Sequence, residues 1–250
     1  MQGENEKSAK GNAASAAIGG TIGDGINEFI RKHRKPIFIS AAAALLLLVL
    51  CIAALFSMDM LRARAISAVE EFGNRYEELR PSISEEYSAN DVAQLLAELE
   101  VFAKKNSGNA AGRAVGLTGG YAGGKAWSII GSIHSDKKDW MAAEAAWVQA
   151  AQTAKKTYLA PIALFNAGAS AEEQGKTEEA IEYYTNSIAL SADFPGAPRS
   201  QFAIGRLRET LHENAAAIEA YRAVISGWPY DRVWTNLAHS RIIALESETE

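Results

Sequence analysis

The sequence predicts an all-α protein: one N-terminal transmembrane helix followed by an α-solenoid of about three helix pairs with flanking helices. Three observations carry this reading. A charge-free apolar run covers residues 36–56. Further on, three blocks share their alanine and aromatic positions at a constant interval. The 250 residues are 48% hydrophobic, rich in alanine and contain only six prolines, which favours long helices because alanine carries the smallest helix-forming penalty.

Residues 1–35 form a cytoplasmic N-terminus in this reading. The first 20, MQGENEKSAKGNAASAAIGG, hold too few large apolar groups to offset ordering entropy and read as disordered. Ile22, Ile26, Phe29 and Ile30 then recur at helical spacing and suggest a short amphipathic helix on the membrane surface. The run PIFISAAAALLLLVLCIAALF follows at 36–56. At about 1.5 Å per residue it reaches roughly 30 Å, the thickness of the bilayer hydrocarbon core. A cleavable signal peptide is the alternative, but its apolar region is shorter and lies nearer the N-terminus, so an uncleaved anchor is expected. Arg31, Lys32, Arg34 and Lys35 crowd the first end, whereas Arg62 and Arg64 are the nearby cations on the other. Basic flanks stay cytoplasmic, which puts the C-terminal part outside, in the periplasm of a diderm bacterium, with the chain crossing the inner membrane once. Cys51, the single cysteine, lies in this run and reads as a lipid-facing hydrophobe. The lipoprotein alternative is known from sequences with a small residue before the cysteine, and here Leu50 stands there.

Residues 57–88 read as a helical stalk and linker: Met58 to Arg80 runs without a breaker, and Pro81 with the Ser/Glu-rich stretch after it ends the helix. The repeat domain is expected over 89–250. Its first helix opens at Ser88 or Asn90 with capping chemistry, presents Val92, Leu95, Leu96, Leu99, Phe102 and Ala103 on one face, and closes at Lys104, Lys105, Asn106 and Gly108. Gly112, Gly116, Gly120 and Gly123 then fall three or four apart. Either they make a smooth stripe on a helix, or the segment is a partly unwound insertion.

The repeats become visible when DWMAAEAAWVQAA (139–151), KTEEAIEYYTNSI (176–188) and ENAAAIEAYRAVI (213–225) are aligned. Each has an alanine (Ala143, Ala180, Ala217), an aromatic four residues later (Trp147, Tyr184, Tyr221) and a small or β-branched residue three further on (Ala150, Ser187, Val224). The interval is 37 residues both times. Upstream stand Trp127, Ile130 and Gly131, then Leu164 and Gly168, then Ile204 and Gly205, with Trp140 and Gly175-Lys176 at turns and Pro229 at the close. These blocks resemble the tetratricopeptide repeat (TPR), clearly over residues 124–230. Departures are the long interval, His134 and Arg208 where a tyrosine is usual, and Lys155 and Ala192 in place of proline. Stacked small residues allow close crossing while aromatics fill the holes, and no pair hides its apolar face alone. The last helix, with Val233, Leu237, Ile242 and Leu245 on one side, should cap the stack.

The resemblance implies a groove lined by the first helix of each pair: Lys125, Ser128, Ser132 and Ser135, then Ile162, Phe165, Ala169 and Glu172, then Arg199, Phe202, Arg206 and Glu209. Phe165 and Phe202 would form an apolar floor with Arg199 and Arg206 beside it, suited to a peptide or helix with an acidic group. The bland reading makes the phenylalanines packing and the arginines solvated.

No catalytic, cofactor or metal site is predicted. Residues 1–35 hold six Lys/Arg against four Asp/Glu, so the remainder carries −7 of the net −5, which argues against nucleic acid as partner. GGYAGGKA (119–126) has the spacing of a phosphate loop but ends in Ala126 where Ser or Thr must hold magnesium, and no strand precedes it. The glycines of 19–25 lack the strand and acidic residue of a dinucleotide site. The histidines at 33, 134, 212 and 239 do not pair at ligand spacing. The expected function is a membrane-anchored extracytoplasmic adaptor for proteins or peptides, in a layout similar to the ancillary TPR subunit of the bacterial protein-export translocon, with chaperone-like holding of clients included. The alternatives are a structural subunit of a secretion or flagellar assembly and, remotely, a nucleotide-binding enzyme. Oligomeric state is left open, a homo-oligomer included.

Overall fold

A computed structural model describes the backbone of residues 3–108 and 120–247, with side chains from residue 28 onward except at 37 and 87. All its regular elements are helical, and no strand occurs among the described residues. The chain divides into two compact units, Met1–Asp59 and Met60–Glu250.

Helix α1 (Gly3–Leu79) opens in the first unit. The segment expected to be disordered is therefore helical backbone from Gly3. Ala9, Ala13, Ala14, Ala16 and Ala17 have low helix penalties, and growth onto a longer helix avoids the nucleation term that an isolated segment meets. Of the expected amphipathic surface, Phe29 and Ile30 are exposed, while the side chains of Ile22 and Ile26 lie outside the described residues. His33 has non-helical angles (φ −109, ψ 17) and marks a kink, with Pro36 inside the helix rather than at its start. Proline has no N–H for the Lys32 carbonyl and its ring crowds that oxygen, which bends the helix just upstream. The described side chains of the apolar run are exposed, Phe38 72%, Leu47 63% and Phe56 69%. One helix among the described residues is long and apolar enough to cross a membrane.

The second unit begins with a finding that the stalk reading missed. The end of α1 packs into a core: Val69, Tyr76 and, beyond the helix, Ile83 cluster with Val92, Leu95, Leu99 and Ala103 of α2 (Ala89–Asn106) and with Ile129, Ile130 and Ile133 of α3 (Tyr121–Asp136). Tyr76 donates from Oη to Asp136 at 2.7 Å, and Arg75 meets Glu98 at 2.5 Å. The charged side chains of 66–79 hid this because one narrow stripe, Val69, Phe72, Tyr76 and Leu79, suffices to bury a helix edge. Two 3-10 turns, Arg80–Ser82 with Pro81 inside and Glu86–Ser88, lead into α2. Ser88 does not cap α2 through its side chain. Its hydroxyl donates instead to the carbonyls of Ser82 and Glu85, which also accept the Glu85 and Ser88 amides of the turn.

Gly120 (φ +62) opens α3, and an added Cβ there would meet the Thr153 carbonyl oxygen at 2.1 Å. On Gly123 it would meet the Asn106 backbone at 2.7 Å, and on Gly124 the Ala154 Cβ at 2.4 Å. These glycines let α3 start wedged between the ends of two other helices. Gly123, Gly124 and Lys125 are helical, so this part of the phosphate-loop lookalike is a packing surface. Gly112 and Gly116 lie outside the described residues.

Three helix pairs follow: α3 with α4 (Trp140–Thr153), α5 (Leu159–Glu173) with α6 (Thr177–Leu190), and α7 (Ala197–Thr210) with α8 (Asn214–Gly227). Their turns are copies. Lys138, Gly175 and His212 sit in the left-handed region at φ 58, 73 and 59, and the next amide bonds back five residues each time: Asp139 to His134 at 2.9 Å, Lys176 to Ala171 at 3.0 Å, Glu213 to Arg208 at 2.9 Å. This closure satisfies the carbonyls a helix end leaves open. Inside each pair an aromatic of the second helix lies on a glycine of the first. A Cβ would meet the ring at 2.7 Å on Gly131 (Trp147), 2.9 Å on Gly168 (Tyr184) and 2.6 Å on Gly205 (Tyr221). Ala143, Ala180 and Ala217 are fully buried, as the close crossing requires. Pro229 is exposed just after α8.

The last helix, α9 (Arg232–Ser247), buries Thr235, Ala238, Ile242 and Leu245 on α8. Val233 and Leu237, expected on that face, are 64% and 44% exposed. Thr235 takes part because its hydroxyl donates to the Asp231 carbonyl at 2.9 Å, leaving its methyl to pack like an apolar residue.

Candidate functional site

The first helices α3, α5 and α7 position the expected groove residues, which the structure sorts into small groups. Phe165 is half-buried; its ring lies 5.6 Å from Tyr184 and 6.4 Å from Phe194. The exposed Arg199 guanidinium sits 5.1 Å over the same ring, a cation–π contact. Among the described residues no carboxylate pairs with it. Phe202, one repeat on, packs 5.1 Å from Tyr221 and 5.4 Å from Trp234. Trp234 thus covers Phe202 as Arg199 covers Phe165.

Glu172 and Glu209 do something the groove pattern did not specify. Glu172 accepts from Tyr184 at 3.2 Å and from Arg206 of the next pair at 2.5 Å. Glu209 accepts from Tyr221 and from Arg241 of α9. Each glutamate ties its own pair to the following element. Burial and then the neighbouring carboxylate push the Tyr184 and Tyr221 hydroxyls well above the ordinary phenol value. Burial works against the Glu209 charge, but the bonds from Arg241 and Tyr221 outweigh it and hold its pKa below the usual carboxylate value. In the first pair the equivalent of Glu172 is Ser135, which accepts from Trp147 Nε1 at 3.3 Å. Where the glutamate is lost, the tyrosine has become tryptophan and the arginine position is Ala169, so no charge is left unpaired.

Ser128 and Ser135 spend their hydroxyls on the Gly124 and Gly131 carbonyls, at 2.9 Å and 2.8 Å. Lys125, Ser132, Ile162 and Ala169 are half-buried on the same helices. The structure therefore joins Phe165 with Arg199 and Glu172 with Arg206, and leaves Lys125 and Ser128 outside both groups. Sequence reasoning missed Trp234, Arg241 and the pair Tyr121–Tyr158, whose rings lie 6.1 Å apart. Tyr121 and Tyr158 are themselves 37 residues apart, a signal that sliding the first helices alone would have found.

Comparison with known proteins agrees with this geometry. The tetratricopeptide repeat model matches residues 162–194, the second pair. A TPR repeat-containing protein of Treponema pallidum (strain Nichols) is 32% identical over 233 residues, covering 88% of this chain and 92% of the relative. The chain belongs to the tetratricopeptide-repeat family. A Podosopora anserina kinesin light chain structure with nearly identical TPR-like repeats aligns at TM-score 0.45 and 11% identity, over 73% of this chain and 98% of that one. TPR proteins mediate protein–protein interaction, and the glycine–aromatic pairs, buried alanines and left-handed turns are the TPR framework that holds Phe165, Arg199 and Phe202.

Proposed function

We propose that this TPR protein is an adaptor anchored in the bacterial inner membrane by residues 36–56, with its N-terminus cytoplasmic and its repeats periplasmic, and that it binds proteins or peptides on the face built by α5 and α7. The observation that carries the binding reading is Arg199: its guanidinium is held over the accessible Phe165 ring with its hydrogen-bonding edge unclaimed by any described carboxylate. Such a group reads an acidic side chain, while Phe165 and Phe202 take an apolar one. Supporting the topology are the basic residues 31–35 ahead of the run and the sparse cations after it. Anchoring confines the face to a layer where membrane-bound partners are effectively concentrated. A layout similar to that of the ancillary TPR subunit of the export translocon makes envelope proteins and newly exported chains the first partners to seek.

The test is a photo-crosslinking amino acid placed at Phe165, or at Glu182 on α6 as a control, in the full chain in native membranes. Defined polypeptide adducts at 165, absent at 182 and lost with Arg199→Glu, are expected. Equal adducts at both positions would overturn the binding site. Labelling of Ser226→Cys by an impermeant maleimide in whole cells, in a Cys51→Ser background with the outer membrane permeabilised, tests the topology separately, and protection of that cysteine would overturn it.

A further inference from the structure

Helix α9 occupies the place of the first helix of a fourth pair. Thr235, Ala238 and Ile242 face α8 as Ser200, Ala203 and Leu207 face α6, an interval of 35 residues. In every complete pair the first helix is covered on its other side by its own second helix, whose aromatic rests on Gly131, Gly168 or Gly205. At the same interval Gly205 corresponds to Ser240, small again, exposed, and with no second helix over it among the described residues. Around it Val233, Leu237 and Ile243 are 64%, 44% and 68% exposed. Together with Asn236, Ser240 and Ala244 they form one stripe by helical spacing, and none of the six is ionised. Arg232 stands at one end of the helix and Glu246 near the other.

We propose that a second copy of this chain covers this face, the two α9 helices packing antiparallel across a two-fold axis near Ser240 so that each lies on the other where a second helix lies in the complete pairs. A two-fold interface must be complementary to itself. An uncharged stripe meets its own copy without like-charge repulsion, and the antiparallel sense brings Arg232 toward the partner's Glu246, where it would join the ion pair that Glu246 makes with Arg222 of α8 at 3.1 Å. Ser240 at the crossing allows the close approach that the glycines allow within pairs.

The test uses the full chain in native membranes, in a Cys51→Ser background, with Ser240→Cys oxidised to a disulfide. Glu182→Cys, exposed on α6, is the control. A disulfide-linked dimer many-fold more abundant at 240 than at 182 is expected, and adding Leu237→Asp should abolish it while the thermal midpoint stays within a few degrees; Val233→Asp replaces Leu237→Asp if that variant melts early. The proposal is overturned if 240 links no better than 182, if both aspartate variants leave the cross-link intact, or if Ser240→Cys captures a different protein in place of its own copy.

Discussion

The contact of Gly205 with Tyr221 can be read as a free energy with a definite sign. Replacing a glycine by alanine inside a helix ordinarily stabilises by about 1 kcal/mol, because glycine loses more backbone freedom. At Gly205 the new methyl would lie 2.6 Å from Tyr221 Cε1 and 2.8 Å from two other ring atoms. Ordinary contact begins at 3.4 Å, so the ring must retreat by the better part of an ångström. It cannot do so freely: Tyr221 is fully buried, its hydroxyl is held by Glu209, and Phe202 lies 5.1 Å away. Overpacking of this kind costs about 1–3 kcal/mol, which after the helix gain leaves a net loss of about 0–2 kcal/mol, about 1 kcal/mol at the centre of that range. For a domain of this size that lowers the thermal midpoint by about 3 °C. Gly73→Ala is the internal comparison, since no atom lies within 4 Å of its added methyl; the same chemical change there should raise the midpoint by about 3 °C. Circular dichroism of the full chain in detergent measures both. In a Tyr221→Leu background, where the ring is gone, Gly205→Ala should turn neutral or favourable, giving a coupling of about 1 kcal/mol or more. If Gly205→Ala stabilises as Gly73→Ala does, the close crossing is not what the glycine is there for, and the packing logic of all three pairs fails with it.

Two further expectations follow from the same framework. Because the folded pKa of Glu209 is depressed, its contribution is present above the unfolded carboxylate value of about 4.3 and is lost as pH falls through the folded value; Glu209→Gln should melt below the natural protein at pH 7, and the difference should shrink steadily in scans toward pH 3. His212 holds φ 59, a conformation that only glycine adopts without strain, so His212→Gly should raise the midpoint by about 2 °C, whereas Gly175→Ala at the equivalent turn should lower it.

How much of this was legible follows from what each residue must do. The 37-residue interval survived in the sequence because three separate constraints share it: a glycine under a ring, an alanine at the crossing, and a residue at the turn. Only the first two restrict residue type strictly. The turn tolerates Lys138 and His212 at a modest strain, which is why Gly175 was visible as punctuation and its two equivalents were not. The end of α1 was illegible for another reason. Its buried stripe is one residue wide per turn, and the charges of Glu70, Glu71, Arg75 and Glu77 around it read as a solvated helix.

The family pattern fixes which positions share a face and leaves open which charges are spent on one another. Glu172, Arg206 and Glu209 are all on the expected helices, yet two ion pairs consume them in joining one pair to the next. The register explains the rest. Between α7 and α9 the interval shortens from 37 to 35 residues, so Arg241, which closes the Glu209 link, and Trp234, which covers Phe202, fall two positions away from where a constant period looks for them. A period infers contacts only as far as the connecting turns keep their length, and Trp228 to Asp231, with Pro229 inside, is the connection in which that length changes.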